Sequence, residues 1–173
     1  LEMMNRTYTR EWYQERVDTI KKIIPNCAIS TDVIIGFCTE TEAEHHDTLS
    51  MMDYVHYDFA YMYTYSERPG TLAAKRYADD IPEDVKKRRF NEIVTKQQEC
   101  SHRRLQLQIG AVYEVLIDGL SKKSDQEYAG KNGQNTTIIF PVDERFKPGD
   151  YVHVRVDKCT PATLIGTIVD SIS

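Results

Sequence analysis

Apolar positions recur along this chain with two different periods, and the change between them divides it. Tyr13, Val17, Ile20 and Ile24 fall at i, i+4, i+7 and i+11, the spacing of one stripe on a helix. Pro25-Asn26 stops that helix. Ala28 to Phe37 is rich in β-branched residues and almost continuously apolar, which predicts a strand covered on both faces, closed by Gly36. Thr41-x-x-Glu44 is a capping box opening a second helix to about Tyr54. Phe59, Tyr61, Tyr63 and Tyr65 then alternate with Ala60, Met62 and Thr64, giving a second strand. Ser66 to Thr71, with Pro69-Gly70 inside it, is a loop. Helix, strand, helix, strand with short connections predicts βα units and a parallel sheet. Two strands are too few to stand alone as such a sheet. The segment therefore reads as part of a larger β/α barrel, and the chain as the C-terminal part of a longer enzyme.

The period changes after a helical stretch at residues 83–104, where Phe90, Ile93, Val94 and Gln97 share one face. Val112–Ile117, Thr136–Phe140, Tyr151–Val156 and Thr163–Val169 are short strand candidates between Gly-, Pro- and Asp-bearing turns, with a fifth at Gln126–Ala129. So many short strands in so short a segment predict a small closed barrel, because closure removes exposed edges.

Charge sharpens this division. Residues 1–82 carry eight Lys and Arg against fourteen Asp and Glu, residues 83–104 seven against four, and residues 105–173 seven against nine. A short basic helix thus joins two acidic segments, and its charge reads as a solvated linker face. With a net charge of −5, any contact with nucleic acid must be local. Cys27, Cys38, Cys100 and Cys159 form no Cys-x-x-Cys pair, so neither a zinc site nor a disulfide scaffold is expected. No apolar run approaches the roughly 20 residues that span a bilayer. Nothing reads as a secretory signal, and a reduced, cytoplasmic chain is the expectation.

No complete catalytic constellation stands in the sequence. His45-His46 falls on the polar side of the second helix, and adjacent helical residues do not converge on one ion. Asp32, Ile34 and Gly36 project to one side of a strand whose C-terminal end, in a β/α barrel, would line an active site. Gly36 would let a flat ligand approach the backbone, and Glu40 could accept hydrogen bonds from it. A strand-end glycine followed by a helix-opening acid explains the same residues equally well. Ser66 and Arg68 lie on the next rim loop, where Arg68 could bind a carboxylate or phosphate in forked fashion. In the C-terminal segment Lys122, Lys123, Lys131, Arg145, Lys147 and Arg155, with the aromatics Tyr128, Phe146 and Tyr151, are candidates for RNA contact.

Three motifs add a family. Met4-Asn5-Arg6-x-Tyr8-Thr9, Ser30-Thr31-Asp32-Val33-Ile34-Ile35-Gly36-Phe37-x-x-Glu40-Thr41 and Tyr65-Ser66-x-Arg68-Pro69-Gly70-Thr71-x-Ala73-Ala74 resemble the methylthiotransferase family of radical S-adenosylmethionine enzymes. The resemblance covers almost the whole chain. Arg68-Pro69-Gly70 favours the branch that acts on tRNA over the sister branch that acts on a ribosomal protein.

The resemblance implies an α/β architecture. Residues 1–82 would be the C-terminal part of an incomplete β/α (radical SAM) barrel, and residues 83–106 a basic connecting helix. Residues 107–170 would be a TRAM domain, a small OB-like β-barrel used for RNA contact. It implies a transferase that adds a methylthio group to N6-dimethylallyladenosine next to the anticodon, with tRNA and the missing N-terminal domains of the same protein as partners. S-adenosyl-L-methionine and two 4Fe–4S clusters would be its cofactors, the cluster ligands lying outside this chain, so the fragment alone would be inactive. Asp32, Ile34, Gly36 and Glu40 match the strand and loop beside the S-adenosylmethionine pocket, and Ser66 and Arg68 the last rim loop. The family usually reads Phe-Pro-Gly-Glu-Thr where this chain has Phe37-Cys38-Thr39-Glu40-Thr41. Thr39 in place of that glycine argues against a flexible backbone contact there, and Cys38 reads as packing. The competing expectation is an RNA-binding module alone. Self-association through exposed strands at residues 28–65 is expected in either case.

Overall fold

The computed structural model describes residues 1–170. The elements run α1 (Arg10–Ile23), β1 (Ser30–Ile35), α2 (Glu42–Val55), β2 (Phe59–Thr64), α3 (Leu72–Arg76), α4 (Glu83–Gln106), β3 (Val112–Ser121), β4 (Ser124–Asn132), β5 (Thr137–Pro141), β6 (Tyr151–Cys159) and β7 (Leu164–Ile168). The chain forms two compact units, Leu1–Cys100 and the residues from Ser101 onward, so α4 contributes to both.

In the first unit β1 and β2 pair in parallel, with Asp32 opposite Tyr61 and Ile34 opposite Tyr63. One face of this sheet is covered. Val17 of α1, Ile35 of β1, Met52 and Val55 of α2, Tyr57 just after α2, and Ile93 of α4 form the core. The other face is open: Ile34, Phe59, Tyr61 and Tyr63 are each 41 to 54 % exposed. The expected two-sided cover is therefore corrected to cover on one side. An apolar run cannot by itself report whether a second layer is there. The far end of the α1 stripe is open as well, with Ile20 and Ile24 exposed beyond buried Val17.

Thr41 caps α2 through the expected box, its hydroxyl accepting from the Glu44 N–H while the Glu44 carboxylate accepts from the Thr41 N–H. The solvated-linker reading of α4 is overturned. Lys86, Arg89, Ile93, Gln97 and Cys100 are all buried along one stripe. His45, expected on the polar side of α2, is 1 % exposed and bonds Glu92 at 2.6 Å. Both misreadings have one cause: ionic partners distant in sequence make a charged helix face suitable for burial.

The second unit is a closed five-stranded barrel in the order β3-β4-β5-β7-β6. All neighbours are antiparallel except β5 and β7. Alternate residues point inward, and Val115, Ile117, Ile138, Phe140, Val152, Val154, Val156 and Leu164 fill the interior with Leu105 from the last turn of α4. Gly130 and Gly166 sit where a neighbouring strand passes close. A Cβ on Gly130 would fall 2.5 Å from the Leu116 carbonyl oxygen.

Candidate functional site

The rim beyond β1 is built by the tight turn Phe37–Glu40, closed by the Glu40 N–H donating to the Phe37 carbonyl at 2.9 Å. Gly36 has φ +72 and Thr39 φ +64. Thr39 stands where the resembled family carries glycine, and it keeps the left-handed backbone that glycine adopts freely. That conformation is costly for a β-branched residue. Two contacts restrain the turn. The Thr39 N–H donates to Asp80 Oδ1 at 2.7 Å, and the Gly36 N–H donates to Glu40 Oε2 at 2.9 Å.

Glu40 is itself held. The Arg89 guanidinium, 4 % exposed, donates to Glu40 Oε2 at 2.8 Å and to the Glu40 carbonyl at 2.9 Å. Its other arm reaches Glu42 Oε1 at 2.7 Å. Glu40 is therefore an internal clasp of the loop, where the sequence suggested a hydrogen-bond acceptor for a ligand. Gly36 is also engaged within the chain. The close approach to its backbone is made by Lys86, whose Cγ would lie 2.5 Å from a Cβ at that position.

The Lys86 ammonium then reaches Asp79 at 2.7 Å and Glu83 at 3.0 Å. Burial pulls its pKa down, but these two carboxylates outweigh that, and the net shift is upward. Arg89, followed by Arg88, holds the Glu42 carboxyl below its ordinary range. Arg88, followed by His45, does the same for Glu92. The Tyr65 hydroxyl is buried without a hydrogen-bond partner among the described residues, and the nearby Cys38 thiol together with burial pushes its pKa up to about 12. Cys38 is 1 % exposed, in keeping with a packing role.

Asp32 and Ile34 fall on the open sheet face, and Ser66 and Arg68 are exposed beyond β2. The structure thus separates the candidates. Asp32, Ile34, Ser66 and Arg68 are accessible, whereas Gly36 and Glu40 are committed internally. Missed from the sequence were the aromatic row Phe59, Tyr61, Tyr63 beside Asp32 and Ile34, and the buried pair Lys86 and Arg89. The alternation along β2 announced two faces, but nothing local said which would be open. A cavity of about 660 Å³ borders the other edge of β1, between Thr31–Ile34, the Phe37–Glu40 turn, Tyr8, Tyr13 and Met51. Among the described residues, no group of three or more His, Cys, Asp or Glu is placed to hold a metal ion.

In the barrel the basic candidates divide again. Lys122 and Lys123 occupy the β3–β4 turn, but Lys131 lies within β4, not in a turn. Seven residues of strand separate Lys123 from Lys131, roughly 25 Å, so these lysines do not form one cluster. Arg145 is held by Asp143 at 2.7 Å and Asp170 at 3.0 Å, and Arg155 by Asp157 at 3.2 Å. Tyr128 is buried with its hydroxyl donating to the Phe146 carbonyl, which removes it as a stacking surface. A different grouping emerges from the register. Tyr151 pairs with Leu116, and Leu116 with Lys131. Since Val115, Ile117 and Val152 point inward, these three face outward in one row. Tyr151, 61 % exposed, and Lys131 stand two strands apart, about 10 Å, and Lys147 lies in the turn that leads into Tyr151, its N–H on Asp150.

Comparison with known proteins decides what this barrel is. Residues 106–169 match the TRAM domain family. The C-terminal barrel is a TRAM domain. Almost the whole chain is also similar to proteins named tRNA-2-methylthio-N(6)-dimethylallyladenosine synthase. With that of Amoebophilus asiaticus it is 52 % identical over 170 residues, 97 % of this chain and 35 % of the relative. With that of Christiangramia forsetii it is 54 % identical over 166 residues, 96 % of this chain and 34 % of the relative. With that of Flavobacterium psychrophilum it is 50 % identical over 169 residues, 98 % and 35 %. The resemblance carried by the three motifs thus holds along nearly the entire chain, TRAM domain included. The chain spans about a third of the length of these relatives.

Proposed function

We propose that the chain is the C-terminal part of a tRNA-modifying radical S-adenosylmethionine methylthiotransferase. In this reading residues 1–82 supply the last strands of its β/α barrel, residues 83–106 the connecting helix, and the TRAM domain a hold on tRNA. The observation that carries it is the one-sided sheet. A parallel pair covered by helices on one face, with Asp32, Ile34, Tyr61 and Tyr63 open on the other, has the construction of a barrel wall whose open side faces the lumen.

These residues fit a nucleoside-bearing cofactor. Tyr61 and Tyr63 offer ring surface, Ile34 an apolar contact, and Asp32 a carboxylate that accepts hydrogen bonds from hydroxyl or amino groups. Arg68 on the neighbouring rim suits the charge of a carboxylate or phosphate. When bound, S-adenosylmethionine and the clusters would supply the methyl group and the radical chemistry. We assign the clusters to the part of the enzyme outside this chain, whose described residues offer no ligand set. The chain's own task is to orient cofactor and base and to exclude water from them. The target adenosine must leave its stack to reach such a lumen.

The TRAM domain would position the rest of the tRNA through phosphate contacts, with Tyr151 stacking an unpaired base and Lys131 and Lys147 beside it. No described helix is long and apolar enough to cross a membrane, and a cytoplasmic enzyme fits this reading.

The complete enzyme, with its clusters reconstituted, should methylthiolate tRNA carrying dimethylallyladenosine, and Asp32→Ala should abolish or strongly reduce turnover. A complete enzyme that modifies a ribosomal protein and not tRNA would overturn the substrate assignment. For the chain alone, Lys131→Ala with Tyr151→Ala should weaken tRNA binding. The slope of log affinity against log salt should fall by about 0.7–0.9 for each phosphate that is no longer neutralised. If only Lys122→Ala with Lys123→Ala moves the slope, the RNA surface lies at the hairpin tip instead.

A further inference from the structure

We propose that Arg89 is a positioning residue. It fixes the Phe37–Glu40 turn in its left-handed conformation and thereby sets the affinity of the complete enzyme for S-adenosylmethionine. The inference rests on the reading of the β1 rim as the cofactor side of a barrel, and adds to it a residue from a helix outside that rim.

Three observations meet here. First, the turn is strained: Thr39 holds φ +64, where a β-branched side chain crowds its own backbone. Strain of this kind persists only where surrounding contacts over-determine the conformation. Second, the restraints on the two ends of the turn converge on one buried cation, while the Thr39 N–H is held separately by Asp80. Arg89 donates to both the carboxylate and the carbonyl of Glu40, and the same Glu40 Oε2 accepts the Gly36 N–H. One guanidinium therefore ties the first residue after β1 to the last residue of the turn. Third, two of its three remaining N–H groups are used. Nε and Nη2 both donate to Glu42 Oε1, in the first turn of α2. The fork of five donors in a rigid plane suits this arrangement, and a lysine could not reproduce it.

Lys86, one turn earlier on α4, closes the underside by laying its stem across Gly36. The turn is thus clamped between two buried cations of one helix, while its outer side leads to the open sheet face. Releasing Arg89 frees the turn to relax out of the left-handed region, and the cofactor would then have to restore order on binding.

The test compares Arg89→Lys and Arg89→Met with Glu40→Gln, which keeps the shape of the clasp and removes its charge. In the 173-residue chain, hydrogen exchange at the Gly36 and Thr39 amides should accelerate tenfold or more in both Arg89 variants. The amides of β3 and β6 in the TRAM domain should be unaffected. Glu40→Gln should give a smaller change in the same direction. In the complete enzyme, equilibrium binding of S-adenosylmethionine should weaken about tenfold in Arg89→Met, with tRNA affinity unchanged. Adding Thr39→Gly should restore part of that affinity, because glycine adopts the turn without the clamp. Rescue by Thr39→Gly separates positioning from general damage, which a glycine would not repair. Unchanged exchange at Gly36 and Thr39 in Arg89→Met would overturn the positioning claim whatever the cofactor does. Normal cofactor affinity despite faster exchange would overturn its consequence for binding. Failure of the unaltered complete enzyme to bind S-adenosylmethionine would sink the functional reading itself, while the exchange result would still judge the clamp.

Discussion

The two sheets of this chain solve the same problem in opposite ways. The TRAM domain joins five strands into a ring, so every strand has a neighbour on both sides and the apolar alternates meet in a single core. The N-terminal unit has two parallel strands, two free edges, and a row of exposed aromatics on one face. The barrel completes itself. The parallel pair leaves one face uncovered, and a lone two-stranded sheet with such a face is a poor resting state. What stabilises it is the helical layer behind it, and that layer is fastened by charge as well as by apolar contact, through Lys86, Arg89 and His45. Closure makes a fold independent, whereas an open pair of strands needs clamps.

The sharpest way to break the comparison is to empty the barrel. Phe140 is fully buried at its centre, so Phe140→Ala should cost about 3–5 kcal/mol. Chemical denaturation followed by tryptophan fluorescence and far-ultraviolet dichroism should then show two transitions. Trp12, the only tryptophan, reports the N-terminal unit and should keep its midpoint. A single shared shift would mean the two units do not fold independently.

A smaller effect is expected from the open face. Replacing Tyr61 and Tyr63 with Lys removes apolar surface and adds repulsion between copies. The unaltered chain should self-associate as its concentration rises, and the double variant should do so at least tenfold more weakly in sedimentation experiments. An unaltered chain that stays strictly monomeric, with fully protected β1 and β2 amides, would show that the open pair of strands is self-sufficient after all.

How much of this was legible in the sequence differs between the units for a physical reason. Alternation and turn chemistry are local, so the five barrel strands and the Thr41–Glu44 cap could be read directly. The strand order, with β7 between β5 and β6, could not, because pairing depends on contacts far apart in sequence. In the N-terminal unit the elements were legible but their faces were not. Arg89 read as solvated because its partners Glu40 and Glu42 are 49 and 47 residues away, and Lys86 because nothing local showed that it would be buried over Gly36. The family motif pointed to Gly36 and Glu40, but their contacts with Lys86 and Arg89, 49 to 50 residues on, left no local sign. Even Thr39, the departure from the family pattern, holds a left-handed backbone of the kind glycine adopts freely.

That departure yields a third prediction. A left-handed non-glycine residue costs roughly 1–2 kcal/mol, and glycine loses about 0.5–1 kcal/mol of that advantage through its freer unfolded chain. Thr39→Gly should therefore stabilise the N-terminal unit by about 0.5–1 kcal/mol and leave the TRAM transition where it is. Destabilisation would mean that the Thr39 hydroxyl contact to Met3 Sδ at 3.3 Å outweighs the strain.

The smallest expected effect concerns pH, and its sign follows from Glu92. Arg88, then His45, holds this carboxyl below its ordinary value of 4.5 in the folded chain. A depressed folded pKa means that the unfolded state takes up the proton first as pH falls. The stabilisation is therefore complete above pH 4.5 and disappears as the pH drops through the folded value. Glu92→Gln keeps an oxygen that can accept from His45 Nε2 and removes only the charge. At neutral pH the variant should be slightly less stable than the unaltered chain, a small difference because the pair with Arg88 is largely solvated. On acidification below pH 4.5 the difference should shrink, and it should vanish once the folded carboxyl is protonated. The TRAM domain, whose depressed carboxyls Asp143 and Asp157 are not altered by the substitution, should show the same pH dependence in both proteins. A difference between the two proteins that stayed constant from pH 7 to pH 3 would show that Glu92 fastens the α2–α4 layer by shape and hydrogen bonding, not by charge.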